Sequence, residues 1–156
     1  MPAMHRAALL VLAGLVGVVA LVAGPSWAAD PSFVVVATPG ATDRKLTREI
    51  VARIFLRKQN FWPQGTRIQP VNFPASHPMR RLFSQSVLGS PPEALEDYWR
   101  DMYFHGVLPP HVLSSEEAVI LFVGSTPGAI GYVSTCTAAQ KLSVVLVVGE
   151  VPDCQK

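Results

Sequence analysis

Ser76, His77, Arg80 and Arg81 crowd the start of one expected helix, and these side chains together suit the binding of an anion. A helix N-terminus carries roughly half a positive charge and several unpaired N–H groups, so arginines in the first turn add like charge where a helix favours acid. An incoming oxyanion relieves that, held by the Ser76 hydroxyl, the amides around Ser76 and His77, and the Arg80 guanidinium. The plainer alternative has both arginines reaching into water while Ser76 merely caps the helix, at a dipole penalty below about 1 kcal/mol. Thr38, in the Thr38-Pro39-Gly40 turn, is expected beside the same site, because ligands of open α/β sheets gather at the carboxyl ends of strands.

Enzymatic chemistry finds little to work with. His77, His105 and His111 lack a neighbouring carboxylate or cysteine at metal-ligand spacing, and there is no Gly-x-Ser-x-Gly elbow, dinucleotide loop or phosphate-binding P-loop. The sequence therefore assigns no catalytic residue, metal or cofactor. Cys136 and Cys154 are the two cysteines. In an oxidising compartment they are expected to form one disulfide, which in the chain-entropy view stabilises by roughly 3 kcal/mol for a loop of this size. The competing reading, a pair of metal-ligating thiolates, has no histidine or carboxylate cluster to complete it.

The compartment is set by the first segment. His5 and Arg6 precede an apolar run from Ala7 to Ala23, Gly24-Pro25 breaks it, and Ser26-Trp27-Ala28 offers small residues for signal peptidase. Residues 1–28 thus read as a cleavable signal peptide leaving Ala29 first, and residues 29–156 as one periplasmic domain. A retained anchor is the alternative, although the run is slightly shorter than the roughly 20 residues that span a bilayer comfortably. Without Arg6 the remainder carries 12 basic and 11 acidic residues. That near balance argues against a broad nucleic-acid surface.

The elements that must position these groups alternate along the chain. Phe33 to Thr38 is a β-branched, apolar run, and Thr47 caps a helix whose Ile50, Val51, Ile54 and Phe55 share one face. Trp62-Pro63-Gln64-Gly65 is a turn leading into an Ile68 to Phe73 strand, after which Ser76 opens a helix burying Leu82, Phe83 and Val87. Ser90 with Glu93, and Ser114 with Glu117, read as capping boxes. Leu95, Tyr98, Trp99 and Met102 recur at helical spacing and read as core. Gly128 to Val133 and Ser143 to Val148 are the last strands, the latter too apolar to be half-exposed. Such strands between helices predict an α/β fold with a mostly parallel central sheet covered on both faces.

The Ile54-Phe55-Leu56-Arg57-Lys58 helix end, the Trp62-Pro63-x-Gly65 turn, the Val71 strand running into a serine-capped helix, and Pro127-Gly128-Ala129-Ile130-Gly131-Tyr132-Val133 together resemble the phosphate-binding proteins of ABC transporters. The resemblance covers nearly all of residues 29–156. It implies a fold related to two-lobed periplasmic binding proteins, of which this chain is similar to one lobe standing alone. It also implies an oxyanion site at the start of the helix after the second strand, with a transporter as partner and a homodimer or other protein as the missing wall. In that family the anion is held by an arginine and a serine-glycine-threonine run. Ser76 matches the serine, His77 and Pro78 stand in place of glycine and threonine, and Asn72 stands in place of the arginine as a neutral neighbour.

Overall fold

The computed structural model describes residues 32–135, 137 and 142–150 of the chain. The expected signal peptide with its cleavage position before Ala29 and the expected Cys136–Cys154 disulfide lie outside these residues. Strand β1 (Phe33–Ala37) is buried at every position, as its run of valines requires. Helix α1 (Arg48–Phe55) begins where the Thr47 hydroxyl accepts the Ile50 N–H, and it buries Val51, Ile54 and Phe55. Strand β2 (Gln69–Asn72) is followed by helix α2 (Pro78–Phe83), which continues as a π-turn over Ser84–Leu88. A 3₁₀ turn (Pro92–Leu95) leads into α3 (Glu96–Phe104), and a two-residue strand β3 (His111–Val112) follows. Helix α4 (Glu116–Ser125) and strands β4 (Ala129–Ser134) and β5 (Ser143–Val148) complete the described fold.

The five strands form one sheet in the order β3-β2-β4-β1-β5. The α/β class with flanking helices is as expected. The sheet is mixed rather than mostly parallel: β2 runs parallel to β3 and β4, while β1 runs antiparallel to β4 and β5. Continuous apolar runs mark burial on both faces, which is usual for parallel strands but which the antiparallel β1 also has here. β5 is an edge strand among the described residues, and its Val147 is 41% exposed, so that segment is less enclosed than its composition suggested.

Close packing of α4 on the sheet depends on Gly131. A methyl group there would stand 2.7 Å from Val119 Cγ1 and 2.9 Å from Val71 Cγ2, both inside contact distance. Trp62 is buried in the turn before β2, and its indole N–H donates to the Gly128 carbonyl at 3.0 Å, locking that turn to the start of β4. Phe33, Phe55, Phe73 and Phe83 pack around Tyr132, with Phe83 stacked on it at a centroid distance of 4.0 Å.

Three local expectations give way to tertiary contacts. Ser90 makes no capping bond: the 3₁₀ turn begins after Pro91 without a side-chain cap, and Glu93 instead pairs with Arg81. Helix α4 is capped by Ser115 rather than Ser114, its hydroxyl accepting from the Ala118 N–H at 3.2 Å. Helix α3 has no fully buried residue, so Leu95, Tyr98, Trp99 and Met102 edge the core rather than fill it. Tyr98 still anchors that helix by donating to the Leu56 carbonyl at 2.6 Å. Among the described residues no helix is long and apolar enough to cross a membrane.

Candidate functional site

The chain leaves β2 at Asn72, turns through Pro74 to Ser76 and enters α2, which places Asn72, His77 and Arg80 around one end of the sheet. His77, not Ser76, caps the helix: its ring Nδ1 accepts the Met79 N–H at 3.1 Å. The His77 ring stacks on Phe73 at 4.4 Å, and the backbone N–H of His77 closes the turn by donating to the Pro74 carbonyl at 2.9 Å. That amide is therefore engaged within the protein. Ser76 is left exposed on the turn, its hydroxyl without a hydrogen bond among the described residues.

The two arginines part company. Arg81 is exposed and paired with Glu93, as the solvent reading of this helix requires. Arg80 is 8% exposed, and its Nε and Nη1 are buried with no hydrogen-bond partner among the described residues. The Tyr132 hydroxyl lies close enough to feel the Arg80 charge and hydrogen bonding, but no carboxylate pairs with the guanidinium among the described residues, and a cation so buried is costly unless something negative joins it. Ser84, one helical turn on and so on the same face, also holds a buried hydroxyl without a partner. Nothing but this i, i+4 spacing marks Ser84 in the sequence, and its depth depends on the π-turn that follows α2.

Asn72 is buried beside Tyr132, whose hydroxyl donates to Asn72 Oδ1 at 3.0 Å. The asparagine thus has a framework role, and Tyr132 joins the site unforeseen because its type reads as core. Burial pushes the Tyr132 phenol up to about 12, against smaller downward pulls from Arg80 and from the Phe73 amide. An unfolded phenol ionises near 10, so the folded state holds its proton longer and the protein loses stability as pH rises from about 10 to 12, by up to roughly 2–3 kcal/mol. Urea unfolding across that range should show this slope in the wild type and lose it in Tyr132→Phe. The variant should also be less stable by about 1–3 kcal/mol at neutral pH, with Asn72 Oδ1 unpaired.

Thr38 does not join the group. β1 runs antiparallel to β4, so Ala37 pairs with Ile130, the residue that also faces Pro70 at the start of β2. Thr38 therefore lies at the end of the sheet where β2 begins, while Ser76 follows the end where β2 finishes. Its hydroxyl is spent on the last turn of α4, 2.6 Å from the Thr126 carbonyl and 2.9 Å from that of Val123.

No protein-family model and no curated protein matches the sequence. Solved structures do match it. An ABC-type phosphate transport receptor from Vibrio cholerae aligns at a TM-score of 0.58 and 19% identity, covering 74% of this chain and 45% of that one. A substrate-binding protein ascribed to a phosphate ABC transporter of Clostridium perfringens, solved with bound phosphate, aligns at 0.59 and 17% over the same shares. PstS from Borrelia burgdorferi aligns at 0.52 and 19%, covering 66% and 40%. The fold is that of one lobe of such a binding protein. The chain spans less than half the length of these structures, and at such identities the likeness is one of fold alone.

Proposed function

We propose that this chain is a periplasmic, non-enzymatic solute-binding-like protein that holds a small oxyanion of the phosphate type, resembling the substrate-binding component of an ABC transporter. The observation that carries the reading is Arg80, a buried guanidinium with two unpartnered nitrogens at the end of the sheet where β2 meets α2. The signal-like first segment supports export. The bound-phosphate neighbour supports the choice of anion. Ser76 supplies a hydroxyl, Arg80 the charge, and Asn72 with Tyr132 the polar floor. One lobe gives an open half-site, so a second copy or a partner protein forms the other wall, and a membrane transporter receives the complex.

Because Asn72 contributes no charge, affinity is micromolar or weaker. Calorimetric titration of residues 29–156 with phosphate and sulfate tests this. Saturable binding is expected, and Ser76→Ala should weaken it about threefold to tenfold, as loss of one neutral hydrogen bond does. Absence of binding at millimolar anion would overturn the reading. A second reading, an envelope interaction module that kept the lobe and lost the ligand, is favoured by the exposed Tyr103 and Phe104 at 64% and 79%. Such large apolar side chains mark partner surfaces when they cluster.

A further inference from the structure

The end of α1 carries an anomaly. Arg57, at the position after the helix cap where glycine is usual, adopts φ +59°, the one non-glycine residue in the left-handed region among the described residues. A β-carbon is unfavourable there, so Arg57 carries a local backbone strain that glycine would not. Its side chain lines a cavity of about 780 Å³ bounded by the α1 end, the start of β2 and the segment between α3 and β3. The volume lies within the range of small-molecule sites.

The cavity has two chemistries. Its charged groups are Arg57 and Arg67, with His111, Asn60 and Gln69 as polar neighbours, and among the described residues no aspartate or glutamate lines it. Among the described residues Arg57 Nη1 makes a single long 3.4 Å bond, to the Ile68 carbonyl, while Arg57 Nε and Asn60 Oδ1 have no partner. Burial, and then the charge of Arg67, push the Arg57 guanidinium below its ordinary range, so the two cations crowd each other without compensation. The remaining wall is apolar, including Ile68, Val107 and Pro110, and Phe61 and Leu108 sit at 58% and 62% exposure with apolar surface facing water.

We propose that this cavity is a second binding site, separate from the Arg80 site, for an amphipathic organic anion whose acidic head meets Arg57 and Arg67 and whose flat apolar body lies between Phe61 and Leu108. It opens at the end of β2 opposite Asn72, since Ile68, Gln69 and Pro70 line it. The charge selects the head, and the exposed apolar rim favours an organic body over a bare inorganic ion.

Naphthalene-2-sulfonate and its neutral sulfonamide are the probes, titrated by fluorescence and calorimetry into residues 29–156. The sulfonate should bind about tenfold or more tighter than the sulfonamide, reflecting charge-assisted bonds. Arg67→Gln, at an exposed position that leaves folding intact, should remove most of that preference, and Phe61→Ser should weaken both probes. Millimolar phosphate should not displace the sulfonate, and Arg80→Met should leave its affinity unchanged, which separates this site from the other. Equal affinity for the two probes, an Arg67→Gln variant that binds as wild type, or displacement by phosphate would overturn the proposal.

Discussion

Arg80→Met should unfold at higher temperature than the wild type in anion-free buffer and should lose the stabilisation that phosphate gives the wild type. Methionine keeps the length of the stem and its apolar contacts while removing a cation whose Nε and Nη1 are buried without partners. Replacing buried ion pairs by apolar side chains of similar volume is neutral to stabilising by about 1–4 kcal/mol, and Arg80 has no ion-pair partner among the described residues to lose, so the same direction is expected here. Phosphate at a hundred times its dissociation constant should stabilise the wild type by about 2.7 kcal/mol, because it binds the folded state alone, and should leave the variant where it was. Thermal melts with and without phosphate check both halves. A variant that is destabilised yet still responds to phosphate would place Arg80 in the framework and remove it from the site.

Gly128→Ala should cost about 3 kcal/mol or more and leave the domain partly unfolded at 37 °C. Gly128 adopts φ +77°, and a β-carbon there would stand 2.2 Å from the Arg67 carbonyl oxygen, a backbone atom that cannot move aside alone. Relieving the clash means prising the Trp62 turn from the start of β4, with loss of the buried indole bond to the Gly128 carbonyl. Gly65→Ala is the matched control. It has φ +88° and nothing within 4 Å of the added carbon, so it should cost only about 1 kcal/mol of backbone strain. Chemical denaturation of the two variants side by side separates collision from conformation, and equal losses would refute the packing argument.

The parts of the fold that follow from local chemistry were legible. Valine runs marked β1 and β5, the Thr47 cap and apolar face marked α1, and the Trp62-Pro63-Gln64-Gly65 turn forms with Gly65 N–H donating to the Trp62 carbonyl at 2.9 Å. What depended on distant partners was not. Arg80 and Arg81 are chemically identical and adjacent, and only Glu93 and the burial of one helix face distinguish them. His77 displaced Ser76 as the cap because its ring rests on Phe73. The direction of β1, which carried Thr38 away from the site, is a property of the assembled sheet that no strand's composition encodes. The Arg57 and Arg67 cavity was invisible for the same reason, since its wall joins segments from three parts of the chain.

The position of β1 also governs when the lobe is able to form. The strand nearest the N-terminus lies between β4 and β5, so Phe33 pairs with Ser134 on one side and with Val148 on the other. A ribosome that has released the first two thirds of the chain has made β1 but neither of its neighbours. The sheet centre therefore closes only after Ser143–Val148 has been made, because loop closure over so long a separation must precede the contacts that reward it.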